Sequence, residues 1–128
     1  MTITTYPDAV DPAKVGEYSS LSFSGGGRFY DDVLEYRVWC HPGDGDDYYC
    51  CFETYAEALK YSRGRHWTNK IKEEPIVVVR QLEWVAEDED GVRSHETGER
   101  ITEWRTEWLD GSKRTEDSIR DFLAKEDE

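Results

Sequence analysis

The sequence predicts an α+β domain: a small antiparallel sheet of about four strands, one helix packed on it, and a short C-terminal helix. Three observations carry this. Two β-rich runs, Val33–His41 and Asp47–Glu53, flank the turn formers Pro42-Gly43-Asp44-Gly45-Asp46, which is the signature of a hairpin. Thr54-Tyr55-Ala56-Glu57 is a capping box that opens a helix. The run Pro75–Val85 begins with continuous apolar residues, Ile76 to Val79, as a central strand buried on both faces does.

In chain order, Met1 to Glu17 holds Pro7, Pro12 and small polar residues without periodicity, and reads as a flexible N-terminal arm. A single domain over residues 18–124 is expected to follow, as suits a chain of 128 residues. Leu21 and Phe23 alternate with serines as a short edge strand would. Gly25-Gly26-Gly27 lacks the Lys-Ser/Thr ending of a phosphate-binding loop and reads as a turn. In the hairpin, Leu34, Tyr36, Val38 and Cys40 share one face, and Glu35, Arg37, Trp39 and His41 the other. A turn centred near Gly45 sets Cys40 opposite Cys50. The helix Tyr55–Arg63 presents Tyr55, Ala58, Leu59 and Ser62 on one face and stops at Gly64. Leu59 is expected at the centre of its contact with the sheet. After Pro75–Val85 comes the acidic turn Glu87-Asp88-Glu89-Asp90-Gly91. Val92–His95 then pairs back, and Ile101–Trp108 forms a further alternating strand. Thr115 caps a last helix, Glu116–Ala124, with Ile119, Phe122 and Leu123 on its apolar stripe; residues 125–128 form a frayed tail.

Composition narrows the function. Aromatic residues (five Trp, eight Tyr, four Phe) supply core material to a chain that is otherwise 35% charged. With 29 acidic against 16 basic residues the net charge is −13, which disfavours direct nucleic-acid binding and favours a basic protein partner. Three cysteines, two of them adjacent, argue against a disulfide framework. With no signal-peptide pattern and no long apolar run, the expectation is a cytoplasmic protein without a membrane partner.

Lys60, Arg63, Arg65, His66, Trp67, Lys70 and Lys72 make up the one basic patch in this acidic chain. They could contact a phosphate-bearing ligand or an acidic partner, with Trp67 stacking. The plainer reading is a helix end whose cations complement the negative pole of the dipole. Cys40, His41 and Cys50 on one hairpin could in principle hold zinc, but adjacent Cys50 and Cys51 point to opposite faces and no C-x-x-C spacing exists. No metal is expected, and Cys40 and Cys50 read as small buried apolar residues. A Cys/His nucleophilic pair lacks the cationic surroundings that would lower a thiol pKa.

The run Leu-Ser-Phe-Ser-Gly-Gly-Gly-Arg-Phe-Tyr-Asp at residues 21 to 31, continued by Val-Leu-Glu-Tyr-Arg-Val-Trp-Cys-His-Pro at 33 to 42, resembles a group of short uncharacterised bacterial proteins. Thr54-Tyr55 with Glu57-Ala58-Leu59, Glu74-Pro75, Thr102-Glu103-Trp104 and Trp108-Leu109 fit the same group. Some members carry a GNAT-type acetyltransferase label, which would imply acyl transfer from acetyl-CoA. The cofactor loop of that family, Arg/Gln-x-x-Gly-x-Gly/Ala, has no match, so no catalytic residue carries over. The basic, glycine-bearing helix start Gly111-Ser112-Lys113-Arg114 is where such a cofactor would sit. The reading adopted is a non-catalytic protein-binding or regulatory module without a cofactor. The alternatives are an acyltransferase-like enzyme and an acidic inhibitor that mimics nucleic acid.

Overall fold

A computed structural model describes residues 6–19, 29–43, 45–64 and 71–126. Its elements are β1 (Asp32–His41), β2 (Tyr48–Phe52), α1 (Tyr55–Arg63), β3 (Ile71–Lys72), β4 (Ile76–Glu87), β5 (Arg93–Arg105) and α2 (Ser118–Glu126). This is the small α+β fold that the pattern predicts. The strands are antiparallel in the order β2-β1-β4-β5, and the short β3 pairs the end of β1 on the side opposite β2. β3 and β4 therefore follow one another along the same edge of β1. Pro75 separates them because it has no N–H to give the ladder. The expected strand over Leu21 and Phe23 and the glycine turn at 25–27 lie outside the described residues.

The hairpin forms, with a register two residues away from the expectation. Cys40 faces Tyr48 and Cys50 faces Val38, so the turn centres one residue earlier than Gly45. β1 carries an extra residue against β4, since Val33 faces Val79 while Glu35 faces Val78.

β5 is a single strand of 13 residues where two separate pieces were expected, and a 3-10 turn, Thr106–Leu109, follows it. The reason is exposure. Among the described residues only β5 pairs with β4 beyond Arg80, and residues 94–99 of that two-stranded ribbon are exposed and carry no apolar alternation. Its tip is a tight turn: Asp88 Oδ1 accepts from the N–H groups of Asp90 and Val92, each at 2.9 Å, and Gly91 takes φ +81°. A shift of register at Gln81/Glu83 coincides with Gly98, at φ +145°, packed under the Trp84 ring.

One face of the sheet carries the apolar core: Tyr36, Val38, Cys40, Val77, Val79 and Trp104 pack with Ala58 of α1 and with Leu109. Thr54 caps α1 as predicted, its hydroxyl accepting from the Glu57 N–H at 3.1 Å. The helix seats itself through Ala58, which is fully buried, with Tyr55 and Tyr61 on either side; Leu59 is only half-buried. The correction has a steric cause: a methyl side chain lets the helix backbone come close to the strands, and the tyrosine rings then fill the flanks.

Residues 6–17, the described part of the expected flexible arm, lie on the domain. The Tyr36 hydroxyl donates to the Pro7 carbonyl, and the N–H groups of Ala9 and Val10 donate to the carbonyls of Glu53 and Val33, each at 2.8 Å. α2 begins at Ser118, later than expected, because the Thr115 N–H donates to the Ser118 hydroxyl and the residues between form a turn. It runs through Lys125 and Glu126, and Ile119 is its buried residue.

Candidate functional site

Of the basic patch, Lys60 and Arg63 stand exposed on the last turns of α1. The Lys72 ammonium donates to the Tyr61 carbonyl and lies 3.8 Å from the centroid of the Tyr61 ring. These cations gather at the C-terminal end of α1, where the dipole favours them. Arg65, His66, Trp67 and Lys70 lie outside the described residues.

Opposite the apolar core, the alternate residues of β1 bury a set of charges. Glu35, Arg37 and Glu103 have 0%, 2% and 3% of their surface exposed. Arg37 Nε donates to Glu35 Oε2 at 2.5 Å and Nη1 to Glu103 Oε2 at 3.1 Å. Its Nη2 donates to the Tyr18 carbonyl at 2.7 Å, and the Tyr49 ring lies 4.2 Å from the guanidinium. Glu35 also accepts from the Gly16 N–H at 2.8 Å and from the Cys51 thiol at 3.2 Å; Glu103 accepts from the Trp39 indole at 3.0 Å. Burial lowers the affinity of Arg37 for its proton, but Glu35 and Glu103 more than offset this, so its pKa is raised. Burial, then the hydrogen bond and charge of Glu35, push the Cys51 thiol up to about 12. The Cys51 S–H is a hydrogen-bond donor to Glu35, in surroundings that oppose the thiolate form. The cluster welds Gly16–Tyr18 to β1, β2 and β5.

The other two thiols meet at one phenol: Cys50 donates to the Tyr61 oxygen at 3.4 Å, and Cys40 lies 3.8 Å from the same atom. Cys40 is buried as expected, whereas Cys50 is half-buried. At the opposite end of the sheet, Asp31 and Glu83 hold Arg114, each at 2.6 Å, and the Lys113 ammonium donates to the Asp31 carbonyl. Asp31 also accepts from the Leu82 N–H at 2.6 Å. Of the basic segment expected to open the last helix, Arg114 is therefore held by carboxylates and Lys113 by a backbone carbonyl, and both precede the start of α2 at Ser118.

A groove of about 340 Å³ opens where β4 begins and β5 ends. Tyr55, Glu74, Pro75 and Ile76 line one side, and Arg105 and Glu107 the other. Thr106 locks these two bends together by donating its hydroxyl to the buried Pro75 carbonyl at 2.9 Å. Glu73, also at the rim, takes the His41 ring at 2.6 Å, and Asp47 takes it from the other side at 3.0 Å. Those two carboxylates raise the His41 pKa. Glu74 has no hydrogen bond or ion pair among the described residues. Burial raises the Tyr55 pKa, and the fields of Glu74 and Glu107 add to it against Arg63. The sequence carries one signal for this site, the acid pair Glu73-Glu74 set before a strand-opening proline; that Glu107 comes to face it depends on strand order.

Compared with family models, with curated proteins and with solved structures, the chain matches none of them. Among the described residues no helix is long and apolar enough to cross a membrane.

Proposed function

We propose that this chain is a non-catalytic binding module for a basic protein partner. The observation that carries the reading is how the fold distributes its charges. Arg37 is buried among carboxylates, and Arg80, Arg93, Arg100, Arg114 and Lys72 are half-buried against acids, rings or carbonyls. These six cations are used inward, as internal ties, while Lys14, Lys60, Arg63, Arg105, Lys113, Arg120 and Lys125 stay exposed. Asp31, Glu35 and Glu103 are buried with them, but most acids stay outside: Asp46, Asp47, Glu53, Glu57, Glu73, Glu74, Glu107 and Asp110 are all exposed, as are Glu87 to Asp90 at the ribbon tip. The accessible surface is thus more one-sidedly acidic than the residue counts imply, and such a field draws cationic partners and repels phosphate backbones.

The test is fluorescence anisotropy of a labelled oligolysine peptide titrated with the full chain at low and at high salt, with oligoglutamate as control. Saturable binding that weakens steeply as the Debye length shrinks is the expected result. No binding of oligolysine at low salt would refute the reading.

A further inference from the structure

We propose that the groove between the start of β4 and the end of β5 receives a single cationic side chain, lysine or arginine, of that basic partner. This rests on the binding-module reading and gives it a place on the surface.

A cavity of about 340 Å³ lies at the lower end of the size range of ligand pockets, roughly 300–1,000 Å³, and suits one long side chain rather than a folded element. Its chemistry is divided as such a side chain is. Pro75 and Ile76 offer apolar surface for an aliphatic stem, and the Tyr55 ring stands beside them. Tyr55 is held edge-on by Tyr6 at 4.8 Å and by Tyr36 at 5.9 Å between centroids, so the ring is placed before anything arrives. At the rim stand three carboxylates, of Glu73, Glu74 and Glu107, against one guanidinium, of Arg105. Arg105 and Glu107 lie 3.6 Å apart and answer one another, and Glu73 is committed to His41. Glu74 remains as an acceptor-only group with nothing of this chain to accept from among the described residues. Its field and that of Glu107 both converge on the Tyr55 phenol.

An anionic occupant would meet those carboxylates, and an apolar one would strip water from them without repayment. A cation on a flexible stem meets carboxylate and ring together. The positive pole of α1, which begins at Tyr55, would oppose a cation. It is already answered by the Thr54 hydroxyl, which accepts from the Glu57 N–H, and by the Glu57 carboxylate, which accepts a hydrogen bond from the Thr54 hydroxyl at 2.9 Å.

The experiment compares two variants of the full chain with equal charge change, using labelled oligolysine and oligoarginine as probes. Glu74→Gln with Glu107→Gln removes two of the three rim carboxylates. Glu89→Gln with Asp90→Asn removes two charges at the exposed ribbon tip. The groove variant should weaken binding about tenfold, and the tip variant less than about twofold, at equal salt. A preference for one probe tells lysine from arginine. Equal weakening by both variants, or none by either, would overturn the groove assignment and leave the binding-module reading standing. Failure of the unmodified chain to bind either probe would overturn both.

Discussion

The two faces of the central sheet are buried by opposite means. On the helix side Val38, Val77, Val79 and Trp104 meet Ala58 and Leu109, and what holds them is non-directional. On the other side Glu35, Arg37 and Glu103 are just as deeply buried, yet they are held by directed contacts, each to a named atom. The apolar face degrades by degrees as volume is lost. The charged face works only when complete, because removing one member leaves the others buried and uncompensated.

The sharpest way to break that contrast is Arg37→Met. It keeps the length and removes the charge, leaving two carboxylates buried side by side. The expected loss is about 3–5 kcal/mol in urea unfolding, the range for breaking a buried ion pair by deleting one partner. A loss under about 1 kcal/mol would mean the trio behaves as a surface cluster. On the apolar face Leu109→Ala should cost about 2–5 kcal/mol. Isosteric Leu109→Met should cost under about 1.5 kcal/mol, a graded response that the charged face lacks.

The smallest effect concerns His41, which ties the hairpin turn at Asp47 to Glu73. Glu73 and Asp47 raise its pKa above 6.5, so its contribution is complete below that value and disappears as pH rises through the folded pKa. The difference in melting temperature between the native chain and His41→Gln should therefore be positive at mildly acid pH and vanish at alkaline pH. A difference independent of pH would mean that the imidazole does not titrate in this bridge.

The elements were legible in the sequence where a local rule decides them. Thr54 and Glu57 announced the helix start, and Ile76 to Val79 announced the central strand. What escaped depends on neighbours far along the chain. Period-two alternation placed Glu35 and Arg37 together on one face of β1, but polar residues in such a pattern suggest solvent. That they are buried follows from Glu103 arriving across β4 and from Gly16–Tyr18 folding over them. Leu59 was a reasonable centre for the helix contact by apolarity, and Ala58 took the place because closeness of approach outweighed side-chain size. The groove acids come from two bends that the β4–β5 pairing, Ile76 facing Arg105, and the Thr106–Pro75 hydrogen bond bring together.

The clasp of Asp31 on Arg114 also bears on how quickly the chain can reach this structure. It joins groups 83 residues apart, and the Arg37–Glu103 contact spans 66. By contrast the β1–β2 hairpin and α1 draw on neighbours in sequence and can form as soon as they are made. Closing the long loops costs entropy before any of these contacts can return it, so the sheet assembles late and slowly relative to a helical bundle of equal length. Until Arg114 arrives, Asp31 and Glu83 lack the guanidinium that bridges them. A chain interrupted upstream of residue 114 should therefore keep the hairpin and lose the ribbon's anchorage.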